Sequence, residues 1–182
     1  MQKKYELTDE TIMIEGIVLH RIRAAKGFGV VRAGDLGGFV ESERNLSHMY
    51  NCWVAGDAMV YGKAKVSGDA RVSGNAKVCG NAKVYGNAKI AGCSHVSGNA
   101  NVSGYSQIIG NAEVCGYVKT SDYALVYDNA IISGNARLYD YARVHGNAHV
   151  TGYARICGYA RVLGSAEISG STIVCGYEEI SC

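Results

Sequence analysis

Hydrophobic and polar positions repeat with a strict six-residue period from residue 56 to residue 181. The 21 units follow the pattern Gly-Asn-Ala-x-Val-x without insertion or deletion, with glycine first in 18 units, alanine third in 16 and an aliphatic residue fifth in 20. Positions three and five are two residues apart, so in an extended strand their side chains face the same way. Six residues is not a helical period. The pattern therefore predicts short strands, each followed by a Gly-Asn corner.

Strands this short cannot bury a face alone, so successive units must coil and stack into a parallel β-helix. Residues 38–55 fit as a degenerate first coil, in which Cys52 and Val54 occupy the small and aliphatic inward positions. Trp53 takes the outward position between them. The sequence thus predicts that the repeat architecture begins before its regular part.

The first part of the chain does not repeat. Residues 5–8, 11–14 and 17–22 have the composition of short strands, and Glu15-Gly16 is a plausible hairpin turn. Such a segment would cover the first coil, whose exposed strand edges otherwise invite aggregation. We therefore divide the chain into an N-terminal β cap, residues 1–37, and a β-helix, residues 38–182.

The repeat resembles the hexapeptide-repeat, left-handed β-helix family, in which three units form one triangular coil. The resemblance covers residues 56–181 and implies a single-stranded, left-handed parallel β-helix of about seven to eight coils. A further resemblance is carried by the segments Arg21-Ile22-Arg23-Ala24, 33–40, Asn45-Leu46-Ser47 and 51–54. They are similar to the opening of uncharacterised bacterial and prophage hexapeptide-repeat proteins.

Composition says more about the cellular compartment of the protein than about what it binds. The net charge is only +2, and no apolar stretch is long enough to cross a membrane. The start of the chain lacks the apolar core of a secretion signal. Seven cysteines at irregular spacing, without a Cys-x-x-Cys pair, favour neither a disulfide framework nor a metal site. We expect a cytoplasmic protein without membrane contact, in which Cys157 and Cys175 are neighbouring free thiols.

Outward positions one coil apart form columns along the rod, and these columns give each face its own charge. The second and third faces are basic, and the corner between them carries tyrosine in five consecutive coils. This candidate binding surface comprises Tyr105, Tyr123, Tyr141, Tyr159, Tyr177, Lys119, Arg137, Arg143, Arg155 and Arg161. The tyrosines suit either a structural ladder of stacked rings or a binding edge. In the second case a protein partner is favoured over nucleic acid, because net charge is low and acidic residues interrupt the strip.

The first face offers the only candidate catalytic residues. His95 is expected beside Glu113, and His149 beside Glu167, which is how a carboxylate orients a general base. Acyltransferases of the resembled family use a histidine in a cleft between subunits, with coenzyme A as cofactor. This sequence shows neither the protruding loop nor the C-terminal extension typical of those enzymes, so the resemblance assigns no catalytic residue. Coenzyme A is expected only if the protein is such an acyltransferase, and no other cofactor is expected.

Glu178 occupies a position that is alanine in most units, so an inward carboxylate is expected in the last coil. Such a charge discourages the addition of further strands at this end of the rod. We separately expect a homo-oligomer, either a trimer packed side to side or a dimer.

Three functions remain open. The first is a non-catalytic binding or scaffold protein. The resemblance to prophage proteins suggests, as a specific version, a phage-encoded protein that binds a host protein complex. The alternatives are an acyl-CoA-dependent acyltransferase and a self-assembling structural protein.

Overall fold

The computed structural model describes residues 3–182, which form strands joined by turns and bends. The predicted all-β parallel β-helix is confirmed, with about eight coils built from three parallel sheets. Each sheet is one face of the rod, which is consistent with a triangular coil. No helix in residues 3–182 is long and apolar enough to cross a membrane.

Every regular unit contributes a strand that begins at its fourth position. The first face contains β5 (Met59–Val60), β8 (Lys77–Val78), β11 (His95–Val96), β14 (Glu113–Val114), β17 (Ile131–Ile132), β20 (His149–Val150) and β23 (Glu167–Ile168). The second contains β6 (Lys65–Val66), β9 (Lys83–Val84), β12 (Asn101–Val102), β15 (Lys119–Thr120), β18 (Arg137–Leu138), β21 (Arg155–Ile156) and β24 (Ile173–Val174). The third contains β4 (Trp53–Val54), β7 (Arg71–Val72), β10 (Lys89–Ile90), β13 (Gln107–Ile108), β16 (Leu125–Val126), β19 (Arg143–Val144), β22 (Arg161–Leu163) and β25 (Glu179–Ser181).

Hydrogen bonds parallel to the rod axis join each coil to the next. In one unit the Lys83 amide donates to the Ala100 carbonyl at 2.8 Å, and the Tyr85 amide donates to the Val102 carbonyl at 3.0 Å. The third and fifth positions face inward, and nearly all of their alanine and aliphatic side chains have no exposed surface. The register is therefore the same throughout the regular coils, and outward columns form there as predicted.

Thr120 is the one residue at the fifth position that is not aliphatic, and one polar contact accounts for it. Thr120 is buried, and its hydroxyl lies 3.3 Å from the hydroxyl of Ser106, which replaces alanine in the coil before it. Ser106 also donates to the Ser103 carbonyl at 2.6 Å. The two polar residues therefore satisfy each other inside a largely apolar core.

The first coil is irregular because its register differs from that of the others. Val40 pairs with Val60, and Leu46 forms a bridge to Val66, so both pairs are 20 residues apart. Val54 pairs with Val72, which restores the separation of 18. The third corner of this coil, between Leu46 and Val54, thus contains two extra residues.

The N-terminal segment forms an antiparallel hairpin of β1 (Tyr5–Ile14) and β2 (Ile17–Ala24), with Glu15 and Gly16 at its turn. The prediction of separate strands at 5–8 and 11–14 was wrong, because the hydrogen-bonded ladder continues through an irregularity between them. The next strand, β3 (Leu36–Val40), pairs antiparallel with β2 and parallel with β5. The hairpin therefore extends the first face of the rod as a continuous sheet.

The segment around the hairpin buries the outward side of the first coil. Trp53 holds its predicted outward position but is only 4% exposed, because Tyr5 and Phe28 pack edge-on against its ring. Lys4 is buried beside them, and its Nζ donates to the Cys52 carbonyl at 2.8 Å. Burial lowers the pKa of Lys4.

Two cysteines depart from the expectation of free thiols. Cys157 and Cys175 are one coil apart with Cα atoms separated by 4.6 Å, and the structure joins them as a disulfide. The position of these residues in one column, at the spacing of adjacent strands, brings the sulfurs together.

At the last coil, Glu178 is exposed.

Aspartate replaces glycine at three corners where the backbone has a positive φ, at Asp122, Asp128 and Asp140. Each carboxylate accepts a hydrogen bond from the backbone amide one coil later, as from Gly158 to Asp140 at 3.0 Å. Asn and Asp tolerate this conformation better than other residues with a Cβ. The carboxylate bond therefore offsets the strain that glycine avoids.

We expect Asp140→Ala to lower the free energy of unfolding by about 1–3 kcal/mol, because alanine keeps the strained φ and loses the acceptor. Asp140→Gly should be close to wild type, since removal of the strain compensates for the lost hydrogen bond. Denaturant midpoints measured for both variants test this. Equal midpoints for the alanine and glycine variants would contradict it.

Candidate binding surface

A ladder of five tyrosines runs along the corner between the second and third faces. Neighbouring rings are nearly parallel, with centroids 5.0–5.1 Å apart and interplanar angles of 2–6°. The rings are 46–84% exposed. The ladder comprises Tyr105, Tyr123, Tyr141, Tyr159 and Tyr177. Its geometry follows from the coil spacing, which sets identical corner positions about one strand separation apart.

The third face adds arginines beside the ladder. Arg143 and Arg161 are register neighbours, and both line a cavity of about 240 Å³ with three of the tyrosines and Glu179. Arg161 forms a 3.7 Å ion pair with Glu179, whereas no ion pair is found for Arg143 in residues 3–182. This cavity therefore combines ring edges with an arginine available to an anion.

The second face carries a denser column of cations. Lys119 pairs in register with Arg137, which pairs with Arg155, and all three are exposed. Within the described part of the chain none of them forms an ion pair, and the Oδ2 atom of nearby Asp122 accepts a hydrogen bond from the Asp140 amide. Like charges on adjacent strands repel each other. An anion bound to this column would relieve that repulsion.

The structure confirms the neighbours predicted for the candidate catalytic histidines but joins neither histidine to its glutamate. His95 and His149 lie in register with Glu113 and Glu167 respectively, with no hydrogen bond or ion pair between them in residues 3–182. His95 instead places Nε2 3.3 Å from Sγ of Cys79. The predicted neighbours are therefore in register, but neither glutamate makes a contact that would orient the imidazole as a general base.

Sequence reasoning missed the contact between Cys79 and His95, because it treated each column separately. Cys79 lies at the sixth position of one unit and His95 at the fourth position one coil later, so a diagonal reading of the columns could have found them. Burial raises the pKa of the Cys79 thiol, the opposite of what a nucleophilic cysteine requires. No group of three or more potential ligands for a metal ion occurs in residues 3–182.

A second corner column was also overlooked. Tyr117, Asn135 and Tyr153 occupy equivalent positions in three consecutive coils, at the corner that precedes the second face. Together with Lys119, Arg137 and Arg155 they line a cavity of about 280 Å³. Reading every eighteenth residue from Tyr117 would have shown this column.

Comparison with known families supports the architecture. Residues 64–80 match the YdcK β-solenoid repeat. The chain is a β-solenoid repeat protein. No curated protein matches this solenoid significantly. The match spans about one coil, so it supports the repeat fold and not an activity.

We expect the ladder to stabilise the solenoid. Tyr141→Asn removes two ring contacts and should lower the free energy of unfolding by about 1–3 kcal/mol, because each stacked pair contributes about 0.5–1.5 kcal/mol. Tyr141→Phe keeps both contacts and should match wild type. Thermal and denaturant unfolding distinguish them, and an asparagine variant as stable as wild type would show that the stacking contributes nothing.

We expect Cys79 to be a slow thiol. With iodoacetamide at neutral pH, the exposed Cys93 and Cys182 should be labelled first and the buried Cys52 last, because burial raises the pKa of both Cys52 and Cys79. Mass spectrometry of peptides over time measures the rates. If Cys79 reacted faster than Cys93 and slowed in His95→Ala, the pair would be a reactive dyad and this interpretation would fail.

Proposed function

We propose that this β-solenoid is a non-catalytic binding protein that engages an acidic protein partner through the tyrosine ladder and the arginines beside it. The observation that carries this proposal is a row of five exposed rings flanked by Arg143 and Arg161. Tyrosine and arginine are the residue types most enriched at energetically important interface positions. A rigid ladder also loses little side-chain entropy when a partner binds.

The ladder favours a protein over a nucleic acid. Its rings stack on one another at about 5 Å, so the faces of the inner rings are occupied and only ring edges and hydroxyls face solvent. Binding of single-stranded nucleic acid uses free aromatic faces on which bases can stack. Hydroxyl edges beside guanidinium groups instead suit carboxylates and backbone carbonyls of a polypeptide.

The resemblance of the N-terminal region to prophage proteins gives the proposal a specific form. In this form the protein is phage-encoded, acts in the cytoplasm as a homo-oligomer and binds a host protein complex. The candidate residues of the acyltransferase alternative have less support, because His95 and His149 lack an orienting carboxylate contact.

The test is affinity capture from bacterial cytoplasmic extract at low salt, with wild type and a variant carrying Tyr123→Asn, Tyr141→Asn, Arg143→Gln and Arg161→Gln. Asparagine is the commonest residue at equivalent corners, so the variant keeps the corner chemistry. We expect the ladder variant to retain at least about tenfold less of the partner protein than wild type retains. Raising the salt to about 0.3 M should also release it.

The matched control carries Lys77→Gln, Glu113→Gln and His149→Asn on the first face. It should retain the partner as wild type does, which shows that the loss is specific to the ladder face. Thermal unfolding of both variants shows whether the ladder variant is still folded at the temperature of the capture. A partner retained equally by the ladder variant and by wild type would place the interface elsewhere. The proposal would be contradicted if no protein were retained by wild type more strongly than by the ladder variant.

A further inference from the structure

The corner column of Tyr117, Asn135 and Tyr153 has the geometry of the tyrosine ladder with its middle ring missing. Each residue donates its backbone amide to a glycine carbonyl of the next coil, at 2.7, 2.7 and 2.6 Å respectively. The three corners are therefore equivalent, and the tyrosines are 63% and 66% exposed. Asparagine occupies the position at which the ladder on the other corner has a ring.

The gap matches the size of one aromatic ring. Rings one coil apart in the ladder are separated by 5.0 Å, so two coils separate equivalent positions by about 10 Å. A planar group placed midway would lie at the ladder's own spacing from both tyrosines. The cavity of about 280 Å³ at this place is lined by both tyrosines and by Asn135, and both rings are exposed.

Three cations line the same cavity. Lys119, Arg137 and Arg155 are neighbours in register, and no carboxylate lines this cavity with them. On the other side of the same cations a second cavity contains Asp122, whose Oδ2 accepts hydrogen bonds from Ser121 and Asp140. The side of the column facing the gap is thus available to a multiply charged anion such as a phosphate.

We propose that this slot binds a nucleotide, with its base between Tyr117 and Tyr153 and its phosphate on the cation column. The amide of Asn135 offers one donor and one acceptor to the edge of the base. Stacking on two free ring faces and charge-assisted hydrogen bonds to phosphate are the two contributions that such a ligand needs. The site uses none of the ladder residues and does not depend on the function proposed above.

A nucleotide fits these features better than an acidic peptide. The slot accepts one ring, and the cations are grouped within about two coil spacings of it, which suits a base joined to a phosphate through one sugar. Carboxylates of an extended peptide alternate between its two sides and are spread over a longer distance. A peptide with a single tryptophan flanked by glutamates is therefore the competing ligand in the test.

The experiment measures binding of AMP to the full chain by isothermal titration calorimetry, with adenosine and ribose 5-phosphate as fragments. AMP should bind, and each fragment should bind at least about tenfold more weakly, because each lacks one of the two contributions. Arg137→Gln should weaken AMP binding by a similar factor and reduce its salt dependence. The tryptophan peptide should bind more weakly than AMP.

The decisive variant is Asn135→Tyr, which fills the gap and completes a three-ring stack. It should weaken AMP binding by at least about tenfold while the protein stays as stable as wild type or becomes more stable. Asn135→Ala keeps the gap open and should retain binding within a few fold. Asn87→Tyr, which extends the ladder on the other corner, should leave AMP affinity unchanged.

Four results would overturn the proposal. They are absence of AMP binding at millimolar concentration, equal affinity for AMP and ribose 5-phosphate, unchanged affinity in Asn135→Tyr, and tighter binding of the tryptophan peptide. If Asn135→Tyr failed to fold, Tyr153→Ala would replace it, because it removes one wall of the slot and should weaken AMP binding by about tenfold.

Discussion

The hydrogen bonds that run parallel to the rod axis are the constraint on which the rest of this structure depends. Because every regular coil donates to the next in the same register, each outward position after the first coil is repeated at one fixed spacing along the rod. Rings therefore stack, cations adjoin cations, and glycines approach one another closely. At Gly98, a Cβ atom would lie 2.7 Å from the backbone nitrogen of Gly116. The same spacing explains why aspartate at these corners needs its compensating hydrogen bond.

Most of the fold could be predicted from the sequence because the six-residue pattern is local and regular. Inward alanine and valine, outward lysine and arginine, and the tyrosine corner all follow from counting along the chain. The irregular parts could not be predicted in this way. The two extra residues between Leu46 and Val54 depend on how the hairpin packs on the first coil, and the contact between Cys79 and His95 depends on side-chain direction across two columns.

The two tyrosine corners show that one physical spacing supports two different kinds of surface. On one corner the rings fill five consecutive positions, so the inner rings stack on both sides and turn only their edges to solvent. On the other corner Asn135 interrupts the column, so ring faces remain free beside three cations. Occupancy of a column, and not its amino-acid type alone, therefore determines whether ring faces are covered by neighbouring rings or stay open.

The constant length of the repeat also has a consequence for how the gene can change. Unequal recombination between two coils would remove or duplicate a whole coil and leave every remaining column in register. The faces and the core would survive such an event, and only the length of the rod would change. Loss of the coil that contains Asn135 is different, because it would bring Tyr117 and Tyr153 onto adjacent coils and close the gap between them. Rod length can thus drift in whole coils, whereas the gap is tied to one particular coil.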